Sequence, residues 1–239
     1  MPRSQLRKNL LILALGLAAA LDARAVTVYV TSISATQVQI IVDGKAVRTL
    51  RVGETSPEGV KLLDPNTILV NEYPTVLEEM TITGPGRYFG NPSAGGLGWG
   101  MGAALGAKLA SPDKTVICAV GDGAYMFGNP TAGHFVSEAM RLPVLFIIAN
   151  NARWAAVHRS TLSTYPKGFA SQTKQPPFAT LEPSPRFEHV IQASGGHGER
   201  VTEPKDLLPA LERALKVVKE EKRQALLNVC IEAGYVKTS

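Results

Sequence analysis

A Gly121-Asp122-Gly123 triplet closes one apolar run, Val116 to Val120, and an Asn150-Asn151 pair closes another, Val144 to Ala149. In a parallel α/β sheet the carboxyl ends of neighbouring strands lie side by side, so the loops leaving them converge on one crevice where ligands bind. Asp122 brings anionic oxygen, Asn151 brings neutral oxygen, and the glycines let backbone N–H groups approach a phosphate. That donor set suits a hard divalent cation carrying a diphosphate. Taken singly, such an Asp serves as a helix N-cap and such an Asn as a turn residue. The pairing of the two at adjacent strand ends points to a metal and diphosphate instead, with Gly95-Gly96-Leu97-Gly98-Trp99-Gly100 upstream as a glycine-rich turn before a helix.

The elements that must position these residues alternate from Leu63 onward. Periodicity predicts strands at Thr67–Asn71, Thr115–Val120, Val144–Ala149, Glu199–Val201 and Ala225–Ile231, and helices over Leu97–Leu109, Thr131–Met140, Pro185–Ser194 and Pro204–Glu220. Strands alternating with helices give an α/β fold, a doubly wound, mostly parallel sheet. The stretch from Ala152 to Phe178 reads as a long loop leaving the crevice, a lid that carries Trp154 and His158 toward the substrate side. Gly98, Gly100 and Ala103, with Asp122 further on, mimic a dinucleotide fingerprint. A true fingerprint follows its strand at once, and here a long connection separates Asn71 from Gly98.

The order and spacing of Gly121-Asp122-Gly123 and Asn150-Asn151, together with the Gly95 to Gly100 turn, resemble the signature of thiamine-diphosphate enzymes. The likeness runs from about Asp64 to the C-terminus and is strongest to the acetolactate synthase and benzoylformate decarboxylase branch. It implies the thiamine-diphosphate-binding fold, with thiamine diphosphate and Mg2+ as cofactors. Metal ligands implied are Asp122, Asn151 and the backbone carbonyl of Arg153. The resemblance also places Gly121 and Gly123 at the diphosphate, Leu97 under the bent thiamine, and the carbonyl of Gly95, beside Gly96, at the 4′-amino group. The substrate implied is a 2-oxo acid, decarboxylated or joined to a second one. The stretch after Gly123, Ala124 to Pro130, is longer than the common family form, which moves the helix start without displacing either metal ligand. The glutamate that activates thiamine in these enzymes comes from a pyrimidine-binding domain, which no segment here resembles. The chain is therefore expected to meet that domain in another chain, within a homo- or hetero-oligomer. A non-catalytic binding protein, or an inactive fusion or truncated product, is the alternative.

Residues 1–25 read as a secretory signal peptide, with a basic start, an apolar stretch from Leu10 to Leu21 and a small-x-small Ala23-Arg24-Ala25 site. The apolar stretch is shorter than the roughly 20 residues of a membrane span, so cleavage after Ala25 leaves no span and a periplasmic or secreted protein. An unused leader leaves a cytoplasmic one. Of the net charge of +5, Arg3, Arg7, Lys8 and Arg24 against Asp22 contribute +3, so the remainder is close to neutral and gives no support for nucleic-acid binding. Residues 26–62 form a small β-rich segment of half-buried strands with a hairpin signal at Asp43-Gly44. That segment is similar to the N-terminal part of exported retropepsin-like aspartic proteases, but the chain lacks their Asp-Thr-Gly or Asp-Ser-Gly triplet. Residues 63–239 make up the cofactor-binding domain. Cys118 and Cys230 sit in apolar runs and read as buried thiols, with a disulfide left open by export. The four histidines are scattered and read as surface or hydrogen-bonded core residues; His134 and His158 are the two with a proton-transfer role as the alternative, and no catalytic residue is assigned.

Overall fold

The apolar runs that end in chemistry-bearing residues are the central strands of one sheet. The computed structural model describes residues 12–13, 28–33, 37–42, 48–51, 61–62, 66–72, 80–81, 85–93, 95–173 and 179–231. Strands β1 (Ile12–Leu13), β2 (Val28–Ile33), β3 (Gln37–Val42), β4 (Arg48–Arg51), β5 (Lys61–Leu62), β6 (Thr67–Glu72), β7 (Met80–Thr81) and β8 (Tyr88–Phe89) come first. Helix α1 (Trp99–Ala110), β9 (Thr115–Gly121), α2 (Asp122–Phe127), α3 (Pro130–Ala139) and β10 (Val144–Asn150) follow. The chain continues through α4 (Ala155–Thr164), α5 (Phe169–Gln172), α6 (Phe187–Gln192), β11 (His197–Val201), α7 (Pro204–Lys219) and β12 (Ala225–Cys230). Six strands form a sheet in the order β11-β12-β10-β9-β6-β8, and every neighbouring pair is parallel. Two three-stranded antiparallel sheets, β2-β3-β4 and β5-β1-β7, complete the description.

Side chains alternate across the central strands, as the period of two requires. Ile117 and Ala119 face a core shared with Leu145, Ile147, Leu211, Ala214 and Val218, while Val116, Cys118 and Val120 face a second core with Phe146, Ile148, Met101 and Tyr125. Both faces of the sheet are therefore covered, which is why β9 and β10 read as continuous apolar runs rather than alternating ones. Handedness assigns the helices. From β6 to β9 to β10 the chain steps in one direction, and α1, α2 and α3 pack on one face. From β11 to β12 it steps back, and the right-handed crossover places α7 on the other. The sheet is doubly wound.

Several boundaries differ from the sequence reading, each for a local reason. The first helix starts at Trp99 rather than Leu97 because Gly98 sits at φ +87°, outside the helical region. The stretch from Gly123 to the expected helix start at Thr131 forms α2 by itself. The chain then breaks at Asn129, at φ +53°, before α3. The helix expected over Pro185–Ser194 is confined to Phe187–Gln192. The Pro185 carbonyl is taken instead by Asn228 Nδ2 and Arg200 Nη1, both at 3.2 Å. The long loop after Asn151 contains α4 and α5, and β8 was not anticipated. The Asp43-Gly44 turn, the site after Ala25, and all of residues 1–25 except Ile12–Leu13 lie outside the described residues. Cys118 is buried and Cys230 half-buried, and both are free thiols. Among the described residues no helix is long and apolar enough to cross a membrane.

A buried polar chain crosses the second core. Gln224 Nε2 donates to the carbonyls of His134 (3.0 Å) and Ser194 (2.9 Å), which leaves Oε1 to accept from His134 Nδ1 at 2.8 Å. Nδ1 thus carries the ring proton, and His134 Nε2 accepts from the Tyr125 hydroxyl at 2.6 Å. His134 is buried away from the candidate crevice, in a structural role. Burial holds its pKa down at about 4, against an ordinary 6.5. Because the unfolded chain binds the proton first, His134 contributes stability above pH 6.5 that is lost as the pH falls through about 4. The loss is up to about 3 kcal/mol. Urea denaturation between pH 7 and pH 4 tests this against His134→Gln, which should lose less stability over that window. Equal losses in the two proteins would remove His134 as the cause.

Candidate metal and diphosphate site

Parallel register sets the site. Glu72 pairs with Val120 across β6 and β9, and Ala149 pairs with Gly121 across β9 and β10, so the residues that follow leave the sheet at one edge. Asp122 opens α2 immediately beyond β9 and is only 3% exposed. Its Oδ1 accepts the Gly123 N–H at 2.8 Å, and its Oδ2 accepts the Arg153 N–H at 3.2 Å. Desolvation raises the Asp122 pKa, and backbone N–H groups of Gly123, Arg153, Ala152 and Asn151 oppose that rise. A buried carboxylate of this kind is stabilised further by a cation.

The two asparagines divide their work. Asn150 is buried and structural: its Nδ2 donates to Asn228 Oδ1 at 2.9 Å, and Asn228 Nδ2 donates in turn to the buried Glu188 at 2.7 Å. Asn150 Oδ1 accepts the Ala152 N–H at 3.0 Å, closing an Asx turn that carries Ala152 at φ +52°. The turn is anchored from outside by Leu181 N–H on the Ala152 carbonyl (2.7 Å) and Trp154 N–H on the Ala179 carbonyl (3.0 Å). This presents Asn151, whose Oδ1 is buried and accepts no hydrogen bond among the described residues. An orphaned buried acceptor is costly unless something absent from the protein occupies it. The Arg153 carbonyl accepts the Ala155 N–H at 2.9 Å, which leaves it a second lone pair.

These groups line a cavity of about 470 Å³, a size typical of small-molecule sites. Of the residues singled out from the sequence, Leu97, Gly121, Asp122, Gly123, Asn151 and Arg153 line it, as does Trp154. Gly95, Gly96 and His158 do not. Gly95 and Gly96 are exposed and instead shape the turn: Gly95 N–H bonds the Pro92 carbonyl at 2.8 Å, and the Gly96 carbonyl accepts from Trp99 at 3.3 Å. Trp154 lies over Gly123 so closely that a Cβ there would stand 2.7 Å from its Cε3 atom. Two charged lining residues were missed. Arg159 has no signal beyond its place in α4. Glu72 had one, a carboxylate ending the apolar run of β6.

A buried carboxylate, an unpaired amide oxygen and a carbonyl with a free lone pair are hard oxygen donors for Mg2+, and Gly121 lines the same cavity with open space where a side chain would stand, so the residues present fit Mg2+ with a diphosphate. No group of three His, Cys, Asp or Glu residues competes as a metal centre among the described residues. The family profile for the C-terminal TPP-binding domain of thiamine pyrophosphate enzymes matches residues 73–229. The chain belongs to that family. Thiamine pyrophosphate is thiamine diphosphate, and residues 73–229 form a domain of this thiamine-diphosphate-binding family. It is 37% identical over 130 residues to an acetolactate synthase large subunit of Mycobacterium tuberculosis, covering 54% of this chain and 22% of that protein. It is 42% identical over 73 residues to benzoylformate decarboxylase of Pseudomonas aeruginosa, covering 30% of this chain and 13% of that one. The solved structure of a Rhodococcus jostii RHA1 thiamine diphosphate-dependent 4-hydroxybenzoylformate decarboxylase superposes with a TM-score of 0.58 at 27% identity, over 72% of this chain and 30% of the other. The chain thus spans less than a third of the length of these relatives.

The contact between Gly123 and Trp154 can be tested directly. Gly123→Ala should destabilise the domain by about 1–3 kcal/mol, the usual cost of overpacking, and should shift tryptophan emission. Adding Trp154→Ala should recover most of that loss. Additive losses in urea denaturation would show that the indole does not rest on Gly123.

Proposed function

We propose that the chain binds thiamine diphosphate with Mg2+ and forms the diphosphate-binding part of an enzyme that processes 2-oxo acids. The observation that carries this reading is the Asn151 Oδ1, buried and unpaired beside the desolvated Asp122. Asp122, Asn151 and the Arg153 carbonyl hold the metal, and the Gly121 to Gly123 turn meets the diphosphate. Leu97, which lines the cavity, supports the thiamine. When bound, thiamine diphosphate supplies the electron sink for decarboxylation or carboligation of a 2-oxo acid. This chain's residues anchor and orient it, and Trp154, at the start of α4, shields the diphosphate side from water.

A pyrimidine-binding domain in another chain completes the site by supplying the activating glutamate. Leu109 on α1, Phe127 on α2, Phe135 on α3 and Met140 just after it are each more than half exposed, apolar area that a partner domain covering these helices would remove from water. The leader directs the chain out of the cytoplasm and is removed after Ala25. N-terminal mass analysis of the native protein decides that point, since an intact Met1 would refute it.

Calorimetric titration of the purified chain with thiamine diphosphate, with and without Mg2+, tests the cofactor reading. Binding should require Mg2+, vanish with EDTA, and weaken at least about tenfold in Asp122→Ala, the loss of one charged ligand being worth more than about 1.4 kcal/mol. Unchanged binding by Asp122→Ala would refute the metal assignment.

A further inference from the structure

Glu72 is a charged side chain with no exposed surface, at the carboxyl end of the strand beside the one that presents Asp122. Neither the metal ligands nor the family's expected thiamine contacts include it. Its two oxygens are both committed: Oε1 accepts the Gly98 N–H at 2.6 Å, and Oε2 accepts the Gly100 N–H at 2.8 Å. These donors belong to the N-terminus of α1, where backbone N–H groups lack partners within the helix and favour negative charge. Gly98 offers no side-chain cap to its own helix. A carboxylate from a neighbouring strand does that work.

The consequence falls on Leu97. Gly98 is held at φ +87° by Glu72 on one side and by the backbone of Gly128 on the other, where a Cβ would stand 2.6 Å from Gly128 Cα. Leu97 is attached to this clamped residue and projects into the cavity that Glu72 also lines, while remaining 39% exposed. Its own packing therefore fixes it weakly, and the hydrogen bonds one residue along fix it strongly. We propose that Glu72 is a positioning residue that sets the reach of Leu97 toward the thiamine rings and takes no part in holding metal or diphosphate. The inference rests on the thiamine-diphosphate reading and assigns the cavity two separately anchored halves: Asp122 with the metal loop for the diphosphate, and Glu72 with the Gly98 turn for the rings.

Two measurements on the full chain separate these claims. In hydrogen exchange on the ligand-free protein, the Gly98 and Gly100 amides should be protected, and Glu72→Gln should speed their exchange at least about tenfold while the Gly123 and Arg153 amides stay unchanged. In calorimetry with Mg2+, Glu72→Gln and Leu97→Ala should each weaken thiamine diphosphate about tenfold yet leave inorganic pyrophosphate within about twofold of wild type. The double variant should be no weaker than either single one. Leu97→Ala removes a half-exposed side chain, so it keeps the test open if Glu72→Gln folds poorly. Equal loss of both ligands in Glu72→Gln, additive losses in the double variant, or unprotected Gly98 and Gly100 amides would each overturn this inference alone. A wild-type chain that binds pyrophosphate with Mg2+ and gains nothing from the thiamine moiety would overturn the cofactor reading and this inference with it.

Discussion

Everything at this site depends on keeping one carboxylate, Asp122, out of water. Its oxygens are held by backbone N–H groups from two different connections, Gly123 after β9 and Arg153 after β10. The hydrogen bonds tie the two loops together, but they do not neutralise the charge, and burial still raises the carboxyl's pKa. A group that the fold desolvates and leaves short of positive charge is matched to a cation. The neighbouring amide oxygen of Asn151 is left short of a donor in the same place. Two deficits of one kind, side by side, describe a ligand more specifically than either does.

The polarity of the whole sheet supports this arrangement. Because all six strands run parallel, the helices that connect them start at the carboxyl edge and end at the amino edge. Helix starts favour anions and helix ends favour cations. The carboxyl edge accordingly carries Glu72 and Asp122 and the glycine turns. The opposite edge carries Lys108, whose Nζ donates to the Pro112 and Lys114 carbonyls at 2.8 and 2.7 Å, with Lys216 and Lys219 in the last turn of α7. The cations at the amino edge answer the helix ends and need no ligand to explain them. At the carboxyl edge, Glu72 answers a helix start, and Asp122 keeps capacity to spare.

How much of this the sequence disclosed follows from the range of each interaction. Periodicity is local, so the runs Val116–Val120 and Val144–Ala149 marked β9 and β10, and the residues ending them marked the site. Whatever depended on a partner distant in sequence was hidden. Glu72 meets Gly98 and Gly100 across 26 and 28 positions, Asn150 meets Asn228 across 78, and His134 meets Gln224 across 90. Spacing singled out Asn151 as the oxygen donor, but it gave no sign that Asn150 holds the turn through Asn228. A hydrogen-bonded core role was the expected one for a lone histidine such as His134, but the partner that fixes its tautomer, Gln224 just before β12, could not be read from local sequence. The segment after Asn151 misled for the opposite reason. No residue of α4 or α5 is buried, so these helices have no apolar stripe to give them away.

The same contrast bears on where ordering takes place when a ligand enters. The Asx turn at Asn150, the bridge between Arg153 and Thr180, and the Glu72 clamp on Gly98 are complete without any ligand. The groups proposed to meet metal and diphosphate are thus preorganised, and binding there would cost little conformational entropy. Helices α4 and α5 have no buried side chains and expose Val157, Tyr165 and Phe169. Elements with so few buried contacts occupy the low-stability end of a fold. Ordering on binding would therefore fall on this segment, which follows directly on the Asn151–Arg153 turn and is preceded by Trp154 as the N-cap of α4. A partner domain that covers those apolar side chains would stabilise the segment and the ligand beneath it together, coupling assembly to cofactor retention through a loop that the ligand-free fold already holds in place.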